Sequence, residues 1–184
     1  AHNMAHNMLT PHIYLAMHGC YGFCWILKYL YFPDWGFEIE LHPATFIFCT
    51  ISAAAHWVTS WIIVSNEQEA TPIRVTIALC SYIMGMFMMY VADAQKYFIL
   101  KYNAGNLIRE GVFTHTRNPN YFGEILIYSG YCVLSRSWVP WGICVSFWLF
   151  LFLPNMLAKE KSLSRYPDWK LYLSHSGMLV PCFF

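Results

Sequence analysis

The sequence predicts an all-α, multi-pass membrane bundle of about five membrane helices that ends in a helical hairpin. Three observations predict it. Of 184 residues, 58% are hydrophobic and only 11% are charged, where a soluble domain carries about a quarter charged residues. Apolar stretches about a bilayer long recur between short polar breaks. Eight of the eleven Lys and Arg (Lys96, Lys101, Arg109, Arg117, Lys159, Lys161, Arg165 and Lys170) fall in two segments that such a hairpin brings to one membrane face. Basic residues favour the cytoplasmic side or its topological equivalent, so that face is the inner one. Residues 1–184 read as a single membrane domain, with three spanning helices in 11–92 and a cofactor-binding-like half in 93–184.

The first span is Pro11 to Tyr31, apolar apart from His12, His18 and Lys28. Lys28, near its end, is expected to snorkel to the interface. Gly19 and Gly22 are expected to form a notch for a second helix, with His18 and Tyr21 beside it. Phe32-Pro33-Asp34-Trp35-Gly36 is a turn, because Pro, Asp and Gly break the helix. Pro43 to Ser65 is the second span, containing His56. Asn66-Glu67-Gln68-Glu69 is a polar loop closed by Thr71-Pro72. Ile73 to Ala92 is the third span; its Met84, Met86, Met88 and Met89 read as adaptable packing. Asp93 to Asn120 is the longest stretch expected in water. Phe122 to Leu134 is a short first arm, Ser135-Arg136-Ser137 a tight break, and Trp138 to Leu157 a full return. Tyr166-Pro167-Asp168-Trp169 and Gly177 to Pro181 close the chain through two turns.

Several classes are excluded. Net charge is +1 and no Lys/Arg stripe is interleaved with aromatics, so no nucleic acid is expected. The seven cysteines form no CxxC pair, so no metal is expected; they read as small buried hydrophobes. No charged or Arg-rich amphipathic opening is present, so no intact targeting peptide is expected.

The densest chemistry is Thr116-Arg117-Asn118-Pro119-Asn120-Tyr121-Phe122-Gly123-Glu124. Asn118 before Pro119 reads as an N-cap and first helical position. The positive end of that helix beside Arg117 suits an anion. Asn120 and Glu124 lie four apart and share a face; Tyr121, Glu124 and Tyr128 share the adjoining one. An acid in an apolar helix is costly without a partner, which makes Glu124 a functional candidate. Asp93, Lys96 and Tyr97 fit one helical face, with Lys101 about two turns on.

That run, with Gly111-Val112-Phe113 before it and Arg165-Tyr166-Pro167 and Val180-Pro181-Cys182-Phe183-Phe184 after it, resembles the C-terminal half of the steroid 5-alpha-reductase superfamily, and more closely its DUF1295 branch. The plan is similar to that of isoprenylcysteine carboxyl methyltransferases. The resemblance implies NADPH held by this half: Asn120 and Glu124 at the nicotinamide, Asp93 as an acid of the preceding helix, Lys96, Lys101, Arg109 and Arg117 at the phosphates. Asn118 and Tyr121 belong to the same motif, and Tyr166 to the closing segment. The implied reaction is reduction of a double bond in a lipid or steroid-like substrate that enters from membrane lipid. Reductases of this kind take their carbonyl-polarising Glu and Tyr from earlier helices. Here the first span has Tyr14 and Tyr21 but no Glu, and Glu38 and Glu40 lie in a loop. Two alternatives therefore stand: a methyltransferase using S-adenosylmethionine, and a non-catalytic member serving as a subunit of a larger membrane assembly. The endoplasmic reticulum and the mitochondrial inner membrane both suit the chain.

Overall fold

The computed structural model describes residues 8–34, 40, 42–65 and 69–182. Within that range the chain is helical throughout: α1 (Leu9–Tyr31), α2 (Pro43–Ser65), α3 (Pro72–Tyr102), α4 (Pro119–Ser135), α5 (Trp138–Phe147), α6 (Leu153–Leu163) and α7 (Trp169–His175). A single 3-10 turn, Gly111–Phe113, interrupts the segment between α3 and α4. Among the described residues the only strand-like contact is a parallel bridge between Thr116 and Gly177. Two helices there are both long and apolar enough to cross a membrane, Pro72–Tyr102 and Trp138–Leu163. α1 and α2, at 23 residues each, have a span's length. Trp35, Gly36, Glu38, residues 66–68 and the terminal Phe183 and Phe184 of the sequence reading lie outside the described residues.

The third span runs further than expected. α3 does not end at Ala92 but carries Asp93, Lys96 and Lys101 through three more helical turns to Tyr102. The cause is a partner: Asp93 forms a buried ion pair with Lys28 of α1, so the acid needs no water. Lys28 consequently does not snorkel; it is 5% exposed and lies 4.4 Å from the Trp25 ring. The helix stops where Asn103-Ala104-Gly105 supplies breakers, with Gly105 at φ 93.

α3 and α4 form the tightest seam in the molecule. A Cβ on Gly85 would lie 2.5 Å from the Gly123 carbonyl oxygen, one on Gly123 2.6 Å from the Gly85 oxygen, and one on Gly130 2.8 Å from the Ala78 oxygen. Three glycines thus let two backbones touch, the arrangement that gives helices close van der Waals contact within lipid. The notch expected at Gly19 and Gly22 is not used: a Cβ at either would meet nothing within 4 Å. Met89, Ile127, Tyr131 and Leu134 fill the seam, and Tyr14 and Met17 of α1 close it.

α5 continues into α6 through a widened π turn, Trp148–Phe152. Pro154 follows at the start of α6. Proline has no N–H to return to the turn before it, so the hydrogen-bond register there lengthens. At the opposite end of the bundle from Lys28, the Glu69 carboxylate accepts hydrogen bonds from the backbone N–H groups of Leu9 and Thr10 and from the Thr10 hydroxyl. The Arg136 guanidinium donates to the Glu69 carbonyl at 2.9 Å. One loop residue therefore joins the start of α1 to the tip of the α4–α5 hairpin.

Candidate functional site

At the entry to α4 the backbone runs beside the chain's last segment. The Arg117 N–H donates to the Gly177 carbonyl at 2.9 Å, and the N–H groups of Gly177 and Cys182 both donate to the His115 carbonyl, at 3.0 and 2.9 Å. The Thr116 hydroxyl donates to the Leu179 carbonyl at 2.8 Å. This clasp sets the direction in which each motif side chain leaves the backbone.

Arg117 points inward. Its guanidinium is 6% exposed, grips the Glu160 carboxylate through Nε and Nη2, and donates to the carbonyl of Ser176. It lies 5.6 Å from the Trp169 ring. Asn118 is fully buried and does not cap α4. Its Nδ2 instead donates to the Met178 carbonyl at 2.8 Å, and its Oδ1 accepts from Lys159 Nζ at 3.0 Å. The ammonium of Lys159, distant in sequence, has outcompeted the local N–H groups. The anion site expected at the start of α4 is thus corrected: Lys159, which also bonds the Arg117 carbonyl at 2.8 Å, and Glu160 occupy the surroundings of Arg117 and Asn118. Tyr172 completes this base by donating from its hydroxyl to the Phe113 carbonyl at 2.7 Å, and burial pushes its phenol above the ordinary tyrosine range.

Two cavities of about 380 Å³ open above this base, and they share Lys96 and Leu100. One lies between α1 and α3 and contains Lys28, Asp34, Asp93, Tyr97 and Lys101. Lys96 reaches Asp34 across its mouth at 3.3 Å. The other is bounded by Phe113, Arg117, Lys159, Arg165, Tyr166 and Tyr172. In the first wall Asp93 and Asp34 pair with Lys28 and Lys96 and leave Lys101 in excess, whereas the second carries Lys96, Arg117, Lys159 and Arg165 with no acid among the described residues of its lining, the electrostatic requirement for a polyphosphate. A third, apolar chamber of about 250 Å³ contains His56, Glu124, Tyr128, Cys144, Trp148 and Phe152.

Asn120 and Glu124 sit one turn apart in α4. The Asn120 Oδ1 is buried with no hydrogen-bond partner. The Glu124 carboxyl faces the apolar chamber, within electrostatic reach of the Lys28 charge. Tyr121, on the same helix, packs on Phe152 at 4.8 Å between ring centres. Tyr128 reaches across to α1, its hydroxyl 3.3 Å from that of Tyr21. A buried acceptor without a donor is costly, and such a group is retained where something else supplies the missing partner.

The sequence-predicted residues therefore separate. Asp93, Lys96 and Lys101 face one cavity, and Lys96, Arg117 and Tyr166 face the other. Arg109 pairs with Asp168 at 3.1 Å, with both side chains about half exposed, and borders neither cavity. Sequence reasoning missed Lys28, Lys159 and His56 as site residues. Lys28 and Asp93 carried a usable signal, being opposite charges in two apolar segments. Lys159 carried none, because Lys159-Glu160-Lys161 reads as an ordinary solvated run.

A model of the family described as "Protein of unknown function (DUF1295)" matches residues 34–173. The chain is also similar to steroid 5-alpha-reductase DET2 of Gossypium hirsutum, 29% identical over 111 residues, covering 58% of this chain and 43% of that protein. It is similar to steroid 5-alpha-reductase DET2 of Arabidopsis thaliana as well, 28% identical over 111 residues, covering 58% of this chain and 42% of that one. The chain thus spans under half the length of the curated relatives it matches. No solved structure matches it.

Proposed function

The chain belongs to the DUF1295 family, within the steroid 5-alpha-reductase superfamily, and from that premise we propose that it is a membrane-embedded reductase using NADPH to reduce a double bond of an apolar, lipid- or steroid-like molecule. The bundle in this reading crosses the membrane about five times, through α1, α2, α3, α4 and the continuous α5–α6, with residues 1–184 as one domain.

One observation carries the proposal: the unpartnered buried Asn120 Oδ1, one turn from Glu124 in the wall of the apolar chamber. A nicotinamide carboxamide offers the N–H donor that this oxygen lacks. Lys96, Lys101 and Arg165, whose side chains border the two cavities, would hold the phosphates. Arg117 and Lys159 would shape the base beneath them instead of gripping, since both are engaged within the chain. The bound cofactor supplies a hydride. The chain's own work is to orient the ring at Asn120, to exclude water with Tyr121 and Phe152, and to present the apolar chamber to the substrate.

The test is binding to protein in lipid nanodiscs, read as energy transfer from tryptophan to NADPH. Asn120→Leu and Glu124→Leu should each weaken NADPH about tenfold, the cost of a lost hydrogen bond in a dry site, while the unfolding temperature stays within a few degrees. Unchanged affinity in both variants overturns the assignment. A response to S-adenosylmethionine in place of NADPH favours a methyltransferase. The internal engagement of Arg117 and Lys159 also fits a non-catalytic subunit of a larger assembly, and a response to neither ligand selects that reading.

A further inference from the structure

Cys132 of α4 and Cys144 of α5 face each other across the hairpin, with their Sγ atoms 3.6 Å apart. Both are buried, at 1% and 4% exposure. A disulfide holds its sulfurs about 2.05 Å apart, so each sulfur would have to move by about 0.8 Å, half the difference from the observed 3.6 Å. A χ1 adjustment on each side covers that distance. Among the described residues no other pair of thiols is recorded in contact.

The second observation is access. Cys144 is part of the wall of the apolar chamber, together with His56, Phe147, Trp148 and Phe152. That wall repels ionic reagents and suits a flat, uncharged ring, because aromatic faces stack with it. His56 is held flat between Tyr128 and Phe147, at 4.8 and 5.3 Å between ring centres. No hydrogen bond of its ring nitrogens is recorded among the described residues, so it offers the chamber a proton acceptor.

We propose that Cys132 and Cys144 form a redox-modification site, a dithiol that an apolar quinone entering the chamber converts to a disulfide. Two S–H bonds break and one S–S bond forms. The two electrons and two protons released pass to the quinone, which leaves as its hydroquinone. His56 takes the first proton and relays it to the reduced quinone, and the resulting thiolate starts the oxidation, since the thiolate is the reactive form. The product ties α4 to α5 and draws Cys144 toward α4. The chemistry requires no nicotinamide, and although the quinone uses the chamber that the reductase reading gives to its substrate, the dithiol reaction is read without NADPH and so fails or succeeds independently of that reading.

The experiment uses the full chain in lipid nanodiscs, and the probe is duroquinone, whose fully methylated ring has no free carbon for a thiol to arylate. Peptide mapping should show a Cys132–Cys144 disulfide that dithiothreitol reverses. Formation with tetrathionate, an ionic oxidant, should be at least tenfold slower, and Leu151→Trp, at a residue of the chamber wall, should narrow the chamber and slow the quinone reaction by a similar factor. The mapping needs no cysteine variant, so it does not depend on a substituted core folding. Failure of these two residues to pair under duroquinone overturns the site. Equal rates with tetrathionate, or no effect of Leu151→Trp on a chain that still unfolds cooperatively, overturn the chamber as the route.

Discussion

The α3–α4 seam and the α4 entry clasp hold the same helix by opposite physics. In the seam, Gly85, Gly123 and Gly130 remove side chains so that backbones touch. In the clasp, Arg117, Asn118, Lys159 and Glu160 fill the space with charge and satisfy nearly every polar atom internally. Contact in the seam depends on volume alone, since within lipid the hydrophobic effect does not drive helices together. Contact in the clasp depends on chemical identity. A single added methylene should therefore break the first, and a single lost charge the second.

The largest expected effect is Gly123→Leu. Its side chain would drive into the Gly85 carbonyl and the Met89 backbone, atoms that cannot rotate away. Overpacking at a rigid site costs about 1–3 kcal/mol per small increment, and a whole isobutyl group should prevent the native fold; the measurement is the yield of monodisperse protein after detergent extraction. Gly19→Ala is the control. With nothing within 4 Å of its new Cβ, it should be neutral or stabilising by up to about 1 kcal/mol through helix propensity.

Next comes Glu160→Ala, which strands the buried Arg117 without a counter-ion. Breaking one side of a buried pair costs about 3–5 kcal/mol, and with Glu160 at 19% exposure the lower end is expected. Denaturant unfolding in mixed micelles gives the number. Asp168→Asn, in the half-exposed pair with Arg109, should cost under about 0.5 kcal/mol. Equal losses in the two variants would abolish the distinction drawn between the buried and exposed pairs.

The smallest effect is at the far end. The Thr10 hydroxyl and the Thr10 and Leu9 amides hold the Glu69 carboxyl below the usual carboxylate range. A group depressed in the folded state stabilises above its unfolded pKa and loses that contribution as pH falls through the folded value. Acidification from neutral pH to below 4 should therefore release the first turn of α1 and lower the protection of the Leu9 and Thr10 amides relative to their intrinsic exchange rates at each pH. Glu69→Gln should show the low protection at neutral pH and little further change on acidification. Because the carboxylate is solvent-exposed, global stability should hardly move.

Much of this was legible in the sequence. Apolar runs located the helices, and Asn118-Pro119 located the start of α4. The hairpin was expected to bring the polar loop before α4 and the chain's tail to one membrane face, and Arg117 does run beside Gly177. What was illegible required knowledge of neighbours. Gly19 and Gly22 have the spacing of a helix-packing notch, yet the glycines that do pack are Gly85 of α3 with Gly123 and Gly130 of α4, a pair split between two helices and a pair two turns apart. Asn118 before a proline reads as a cap until Lys159 arrives from 41 positions away with a stronger claim on its oxygen. Lys28 and Asp93 each looked interfacial because their pairing is a property of two elements together.

The π turn at Trp148–Phe152 has a consequence for Arg117, far off along the fold. A widened turn amounts to one inserted residue, and each residue advances an α-helix by about 100°. Deleting Phe150 would restore an unbroken helix and swing everything beyond Pro154 through that angle. Lys159 and Glu160 would then sweep off Arg117 and Asn118 toward a different quadrant. The rotational phase of the clasp is thus dialled by a single surplus amino acid two turns upstream, where no clasp residue resides.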